Sequence, residues 1–286
     1  MPDLDVRLKS LADGLPIQAY AWRAAGSPRA SVVLAHGAAE HALRYERFAR
    51  ALTRAGFDVW AADHRGHGLS LGPRGLGDAG TGGWTALVAD VVQLVGHARA
   101  ARPGQPLALF GHSMGSFAVQ ALCLDHSREI DAAILSGSTW LEAPEPGVAP
   151  APFEPNKAFE PARTPYDWLS RDAAEVDAYI ADPCCGFDKV PVFHLLGGMD
   201  VRRMSDPAAL EQIRSDLPVL IVSGSDDALH RGLRGLDLLE KRWREAGVRQ
   251  VDVRIYPGAR HELTNELNRD EVTRDVCAWT ARVLAL

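Results

Sequence analysis

The chain has 286 residues, of which 47% are hydrophobic and 24% are charged, and its formal net charge at pH 7 is −6. This length is enough for one large α/β domain or two smaller ones with a buried core, and the composition is that of an ordinary globular protein. The mild acidity and the lack of a Lys/Arg cluster argue against nucleic acid as a partner.

The N-terminal residues and the cysteines indicate the compartment. Residues 1–5 carry neither a basic stretch nor an apolar one, so we expect no secretory signal peptide. No apolar run approaches the roughly 20 residues that span a membrane. The chain contains four cysteines: Cys123, Cys184, Cys185 and Cys277. Their spacing matches neither a zinc site nor a disulfide framework, so we expect reduced thiols in a cytoplasmic protein.

Short apolar runs recur along the chain, each followed by turn-forming residues. They cover residues 31–35, 57–61, 106–110, 131–135, 218–222 and 251–256. Nearly continuous apolar runs predict strands buried on both faces, and hence a mostly parallel sheet flanked by helices. Three segments with apolar residues at helical spacing predict helices over 84–99, 238–246 and 270–284. Alternating segments on either side of Asp13-Gly14 predict an antiparallel hairpin at one edge of the sheet.

One region interrupts this alternation of strands and helices. Between residues 139 and 217 no buried strand is evident, and seven prolines fall between Pro144 and Pro165. The stretch is too long for a plain loop in a compact domain. We therefore expect 139–217 to form a cap, or lid, inserted into an α/β core made of residues 1–138 and 218–286.

The most informative motif follows the run 106–110. Gly111-His112-Ser113-Met114-Gly115 lies between a predicted strand and a helix-like segment. Gly-x-Ser-x-Gly in that position predicts a nucleophile elbow, in which the glycines let strand and helix approach each other. The Ser113 hydroxyl would project from the edge of the sheet, and the first amides of the helix would face the atom it attacks.

A serine hydroxyl needs a base to take its proton, and that base needs an acid to hold the correct tautomer. On such a sheet the partners come in the order Ser, Asp/Glu, His, each after a strand. His261 follows the run 251–256 and is the candidate base. Asp226 and Asp227 both follow the run 218–222 and compete for the acid role, and the other would form or cap a turn.

The tetrahedral intermediate of acyl transfer needs two amide donors. One should be the N–H of Met114, directly after the nucleophile. The other should come from the loop after the run 31–35, His36-Gly37-Ala38-Ala39, where we choose Ala38. An amide donor does not depend on its side chain, so the sequence supports this loop more strongly than it supports Ala38 itself.

The sequence predicts no cofactor. The pairs His36/His41 and His64/His67 match no recognised metal-ligand spacing, so we expect no metal. Neither Gly-x-Gly-x-x-Gly nor a Walker lysine is present, so we expect no nucleotide cofactor.

Four motifs occur in a set order along the chain. They are His36-Gly37-Ala38-Ala39-Glu40-His41 with Arg44-Tyr45-Glu46, Asp63-His64-Arg65-Gly66-His67-Gly68, the elbow itself, and Tyr256-Pro257-Gly258-Ala259-Arg260-His261-Glu262. Together they resemble the monoacylglycerol lipases and related lysophospholipases of the α/β-hydrolase superfamily. The resemblance covers about residues 10–285 and is weakest in the cap, which looks like that of bacterial members. Ser116 departs from the pattern, because a second glycine is usual there.

The resemblance implies an eight-stranded α/β-hydrolase sheet, a lipophilic cap and a Ser-Asp-His triad. The family's acid lies in Gly-x-x-Asp, which aligns with Asp227 in Gly224-Ser225-Asp226-Asp227. The implied activity is serine ester hydrolysis of small acyl esters such as monoacylglycerols or lysophospholipids, with transient contact to lipid surfaces. For a histidine base, we expect kcat/KM to rise through an apparent pKa of roughly 6–7. No oligomeric state is predicted.

Two other hypotheses stay open. The same triad serves serine peptidases and amide hydrolases, in which cap carboxylates would hold a free amine. The candidates for that role are Glu154, Glu160, Asp172 and Glu175. The third hypothesis is a hydrolase-fold binding protein without catalysis, which labelling by a fluorophosphonate would distinguish from both enzymes.

Overall fold

Eight strands form one sheet within the residues that this computed structural model describes, which are 1–142, 154–187 and 194–286. The strands are β1 (Leu4–Lys9), β2 (Pro16–Trp22), β3 (Ala30–Ala35), β4 (Phe57–Ala62), β5 (Leu107–His112), β6 (Ala132–Ser136), β7 (Val219–Gly224) and β8 (Val251–Tyr256). Their order across the sheet is β1-β2-β4-β3-β5-β6-β7-β8. The hairpin β1–β2 and the pair β2–β4 are antiparallel, and every later pair is parallel. The mostly parallel eight-stranded sheet is thereby confirmed.

Helices cover both faces of the sheet. They are α1 (Glu46–Arg54), α2 (Gly83–Ala101), α3 (Met114–His126), α4 (Ala173–Ala181), α5 (Val201–Met204), α6 (Pro207–Leu210), α7 (Arg234–Glu245) and α8 (Arg269–Val283). Residues 194–197 are also helical. Short 3-10 turns occupy Ala42–Tyr45, Ser127–Glu129, Pro155–Phe159, Ala228–His230 and Leu263–Asn265. Within the described residues, no helix combines the length and apolar composition needed to cross a bilayer.

The alternation of side chains along each strand divides the core into two apolar layers. In β5, Leu109 packs into the layer shared with α2, α3 and α7, and Phe110 packs into the layer shared with α1 and α8. Strands β3 to β7 are buried at every residue. The expectation of full burial is wrong for β8, where Val253 is 37% exposed. β8 is the last strand of the sheet, and it carries charged Asp252 and Arg254 on either side of Val253.

The region expected to form the cap divides into parts with different surroundings. Residues 154–187, here called the cap segment, contain α4 and a small apolar cluster of their own, formed by Leu169, Tyr179 and Cys185. Further along, Leu210 and Leu217 are buried in the core layer of α2 and α3. Residues 144–153 of the proline-rich stretch, including Phe153 and four of its seven prolines, lie outside the described residues.

Candidate active site

Ser113 occupies a strained turn between β5 and α3. Its φ of 51° and ψ of −120° lie in a region that residues with a side chain rarely adopt. Neighbouring groups hold this conformation, because the Ser113 N–H donates to the Ser136 carbonyl at 2.9 Å and its own carbonyl accepts from the Ser116 N–H at 2.8 Å. The turn therefore presents the serine side chain at the carboxyl edge of the sheet, and the side chain is half-buried there.

Close packing around the elbow explains its second glycine. A Cβ atom on Gly115 would lie 2.1 Å from the Ala35 carbonyl oxygen, so only glycine lets the start of α3 pass this close to β3. Met114 opens α3 and is buried. Its N–H is one of the first amides of the helix, which have no acceptor within the helix.

The serine at position 116 has a function in the elbow. Its Oγ lies 2.6 Å from the Ser113 carbonyl oxygen and 2.8 Å from Ser138 Oγ. A hydroxyl can donate to the first and accept from the second. Ser116 therefore ties the elbow to the chain just beyond β6, a link that a glycine would not make.

His261 and Asp227 form a buried pair after β8 and β7. The distance from His261 Nδ1 to Asp227 Oδ2 is 2.9 Å, and the two side chains are 2% and 0% exposed. The other carboxylate oxygen of Asp227 accepts from the Leu229 N–H at 2.9 Å. Asp226, in contrast, is exposed and accepts from the Ser225 hydroxyl. The structure brings Asp227 to the histidine and leaves Asp226 at the surface.

The approach of these two loops depends on Gly224, the last residue of β7. A Cβ atom there would lie 1.9 Å from the Ala259 carbonyl oxygen, in the loop that carries His261. Any side chain at this position would push the histidine loop away from the aspartate loop.

Opposing effects set the charge of the pair. Burial lowers the pKa of His261, but the nearby carboxylates of Asp227, Glu262 and Glu40 outweigh burial and raise the pKa above its ordinary value. Burial also acts to raise the pKa of Asp227, but the charge and hydrogen bond of His261 lower it overall. The nearby carboxylates therefore favour the protonated form of His261 more than in a free histidine.

His112 packs beside His261 and the loop after β3. Its ring centroid is 4.7 Å from that of His261. A methyl group on Gly37 would lie 3.2 Å from His112 Cδ2 and 3.3 Å from Ser113 Cβ, so the loop after β3 passes directly beside the elbow. Burial, followed by the charge of His261, lowers the pKa of His112 to about 3. His112 is therefore a neutral imidazole beside His261 that adds no second positive charge.

The loop after β3 uses one of its amides internally. The Gly37 N–H donates to Glu40 Oε1 at 2.5 Å and is thus committed to this carboxylate. That commitment favours the neighbouring Ala38 N–H as the donor that this loop offers to a substrate.

The cap segment holds the same loop from the other side. Ala39 has a φ of 54°, and its carbonyl accepts hydrogen bonds from Tyr179 Oη and from the Gly186 N–H, both at 2.9 Å. Tyr179 and Gly186 had no role in the sequence-based interpretation. They lie in the cap segment, far from this loop in the chain, and their spacing in the sequence indicates no contact with it.

Arg44 links the loop after β3 to the loop that carries His261. Its guanidinium donates to Glu40 Oε2 at 2.7 Å and to both oxygens of Glu262 at 2.7 Å, and Tyr45 donates to Glu40 Oε1 at 2.8 Å. The three charged side chains are at most 10% exposed. Burial would raise the pKa of Glu262, but Arg44 lowers it to about 2. Arg44, Glu40, Tyr45 and Glu262 all belong to the sequence motifs, but the sequence analysis assigned them no role.

The cap segment also covers the histidine. The Trp168 ring centroid is 4.8 Å from that of His261, and the Leu169 carbonyl accepts from the Glu262 N–H at 2.7 Å. The Arg260 guanidinium stacks 4.2 Å from the centre of the Phe159 ring. Cap residues thus contact both the histidine loop and the loop after β3.

Of the four histidines considered as metal ligands, His36, His64 and His67 pack together, and His41 lies apart from them. His36 uses both ring nitrogens, Nδ1 toward the Gly37 carbonyl at 2.7 Å and Nε2 as acceptor for the His64 N–H at 2.8 Å. Burial lowers the pKa of His64 to about 3 and that of His67 to about 4. These three imidazoles are neutral, buried parts of the loop packing. His41 belongs to a different cluster.

Comparisons with known proteins show which family and which fold this chain resembles. Residues 26–268 match the serine aminopeptidase S33 family. The chain is 35% identical to monoacylglycerol lipase of Mycolicibacterium smegmatis, with 93% of each chain covered. It is 30% identical to human monoglyceride lipase over 93% of this chain and 85% of that protein. The fold is similar to that of a thermostable carboxyl esterase from Bacillus coagulans, with a TM-score of 0.85, 23% identity and 99% of each chain covered.

Replacing Arg44 tests the buried ion network. Arg44→Met leaves two buried carboxylates without their cation, and we expect the free energy of unfolding to fall by about 3–5 kcal/mol in urea denaturation. Arg242→Met is the matched control, because Arg242 pairs with Glu245 at 3.1 Å on the exposed surface. The control should change the free energy by less than about 1 kcal/mol. Equal losses in the two variants would contradict the network's importance.

The pH dependence of activity tests the charge environment of His261. The base must be neutral, so kcat/KM is expected to rise with pH through an apparent pKa above 6.5. Glu262→Gln removes one of the carboxylates that raise this pKa, so the midpoint should move to lower pH. Glu271→Gln, at an exposed residue of α8, should leave the midpoint where it is. An unchanged or higher midpoint in Glu262→Gln would refute this explanation.

Proposed function

The chain belongs to the serine aminopeptidase S33 family, in the monoacylglycerol lipase branch of the α/β-hydrolase superfamily, and is a serine ester hydrolase. From that premise we propose that it hydrolyses monoacylglycerols, lysophospholipids or similar acyl esters through a triad of Ser113, Asp227 and His261. The observation that carries the proposal is the buried His261–Asp227 pair at 2.9 Å, located at the same edge of the sheet as the strained serine.

The reaction follows from the role of each group. His261 Nε2 takes the proton of Ser113 as the serine oxygen attacks the acyl carbonyl, and Asp227 holds the Nδ1–H and stabilises the imidazolium. The amides of Met114 and Ala38 donate to the oxyanion. His261 then protonates the leaving alcohol. A water molecule, deprotonated by the same histidine, cleaves the acyl-enzyme and restores Ser113.

We propose that residues 139–217 form a cap over a core of residues 1–138 and 218–286, with the end of this insertion, including Leu210 and Leu217, packed into the core layer. The support comes from the cap segment, in which Trp168 packs on His261 and Tyr179 holds the loop of Ala38. An apolar cap at this edge would surround the acyl chain of a substrate. The exposed side chains of Leu43, Leu69 and Ile180 lie on segments around this edge. They support brief contact with lipid surfaces, which co-sedimentation with vesicles would detect.

The cap carboxylates favour an ester over a peptide substrate. An amine-binding site needs carboxylates that are not already neutralised. Asp172 pairs with Arg269, and Glu175 pairs with Arg47, both at 2.7 Å. Of the other two, Glu154 pairs with Lys157 at 3.3 Å, and Glu160 is exposed. None of these four carboxylates is therefore both buried and without a cationic partner, as an amine-binding site would need.

The strained serine favours catalysis over simple binding. A non-glycine residue at this φ costs of order 1–3 kcal/mol and persists only where the surroundings impose it. A binding protein would gain nothing from holding Ser113 in this conformation beside a buried histidine–aspartate pair.

Substitution of the triad residues tests the mechanism. We expect Ser113→Ala to lower kcat by roughly 10³-fold or more and to abolish labelling by a fluorophosphonate. Asp227→Asn should lose far more activity than Asp226→Asn, the matched control, because only Asp227 reaches His261. Near-normal turnover in Ser113→Ala, or greater damage from Asp226→Asn, would disprove this assignment of roles.

A series of p-nitrophenyl esters with one leaving group tests the substrate class. Each methylene that enters an apolar cap gains roughly 0.8 kcal/mol, partly offset by ordering the chain. We expect kcat/KM to rise from acetyl to about octanoyl esters, and aminoacyl amides to show no comparable turnover. A preference for acetyl esters would indicate a closed pocket and a small-ester esterase, and faster turnover of the amides would indicate a peptidase.

A further inference from the structure

A second cluster of chemically active side chains lies where the cap segment meets the loop after β3. The His41 imidazole, the Asp182 carboxylate and the Cys185 thiol each offer one ligand atom, and these atoms lie within 4.8 Å of one another. We propose that the three residues bind a divalent cation of the zinc type. The sequence-based expectation of no metal missed this group because His41 and Asp182 are 141 residues apart in the chain.

The geometry requires only a small adjustment to admit an ion. His41 Nε2 and Asp182 Oδ2 are 2.9 Å apart and share a hydrogen bond. In a tetrahedral zinc site with bonds of about 2.0–2.3 Å, neighbouring ligand atoms are separated by roughly 3.3–3.8 Å. The distance between His41 Nε2 and Asp182 Oδ2 would increase by less than an ångström, and the Cys185 sulfur would move toward the ion.

Backbone groups already orient two of the ligands. The second oxygen of Asp182 accepts from the Cys184 N–H at 2.8 Å, which leaves Oδ2 directed at His41. The Cys185 N–H donates to the Asp182 carbonyl at 3.0 Å, so one turn holds both side chains. Outer contacts of this kind position metal ligands and strengthen metal binding.

The chemistry of the donors selects the ion. A thiolate and an imidazole favour zinc and similar ions over magnesium or calcium, which prefer oxygen ligands. The Asp182 carboxylate and the Cys185 thiolate together balance a charge of +2, and the thiol proton is released to solvent on binding. The side chains of His41 and Asp182 are 14% and 31% exposed, so an ion can enter from solvent and a water can complete its coordination.

The ion would connect two segments that already touch. His41 lies in the loop that carries Ala38, and Gly186, next to Cys185, donates its N–H to the Ala39 carbonyl at 2.9 Å. A bound ion would add a coordinate link between the cap and this loop. Binding to the folded chain should therefore raise its melting temperature.

Cobalt titration of the metal-stripped, full-length protein tests the site directly. We expect one Co²⁺ per chain, with the absorption bands of tetrahedral cobalt and a thiolate-to-cobalt charge-transfer band, and displacement of the cobalt by Zn²⁺. Cys185→Ser should abolish the charge-transfer band and weaken binding at least about tenfold. Cys184→Ser is the matched control, because it changes the adjacent thiol outside the set, and it should retain both properties.

Because Cys185 is buried, the Cys185→Ser protein could fail to fold, and a second variant then provides the test. His41→Gln, at a partly exposed residue, should weaken Co²⁺ binding at least about tenfold and abolish the Zn²⁺-dependent rise in melting temperature. A charge-transfer band lost in Cys184→Ser, or unchanged binding in His41→Gln, would overturn the proposal. So would an equal Zn²⁺ effect on all variants, which indicates surface binding. None of these measurements depends on ester hydrolysis.

Discussion

The bidentate contact of Arg44 with Glu262 is the interaction on which the rest of the site depends. The two residues are 218 positions apart in the chain, and the same guanidinium also binds Glu40. Glu262 adjoins the histidine, and Glu40 accepts from the Gly37 amide in the loop of the proposed oxyanion donor. One buried cation thus sets the distance between two loops that leave the sheet from β3 and β8.

Burying three charges is costly, and the network offsets that cost by satisfying each of them with short hydrogen bonds. The balance has an electrostatic consequence for the site. Two carboxylates near His261 help to raise its pKa, and Arg44 keeps Glu262 ionised at the same time. The buried His36, His64, His67 and His112 have lowered pKa values, because burial is the main influence on them. Among these buried imidazoles, local carboxylates single out His261 as the one that can accept a proton near neutral pH.

The cap segment contributes to the geometry beneath it as well as covering it. Tyr179 and Gly186 both donate to the Ala39 carbonyl, at a residue whose backbone has a positive φ. The conformation of the loop after β3 therefore depends on contacts from the cap. These two hydrogen bonds therefore tie the cap segment to the loop whose Ala38 amide is the proposed oxyanion donor.

The sequence by itself determined the features that depend on local order. Apolar runs predicted six strands to within a few residues, because burial of β3 to β7 on both faces leaves a nearly continuous apolar pattern. The run of β8 is interrupted by Asp252 and Arg254, and its strand is partly exposed. The spacing Gly-x-Ser-x-Gly placed the elbow, since a tight turn between strand and helix requires small residues around the serine. The position of His261 after the last strand followed from the order of the elements. The choice of Asp227 over Asp226 came only with the resemblance to a family, because two adjacent aspartates have the same local pattern.

Tertiary structure decided everything that joins distant segments. Packing directs Asp227 inward and Asp226 to solvent, and it brings Arg44 to Glu262 and His41 to Asp182. It also leaves part of β8 exposed at the edge of the sheet. These contacts depend on where loops from different strands meet at the carboxyl edge of the sheet. The pattern of residues along the chain does not encode the distances between these loops, which are set only when the sheet and the cap segment assemble.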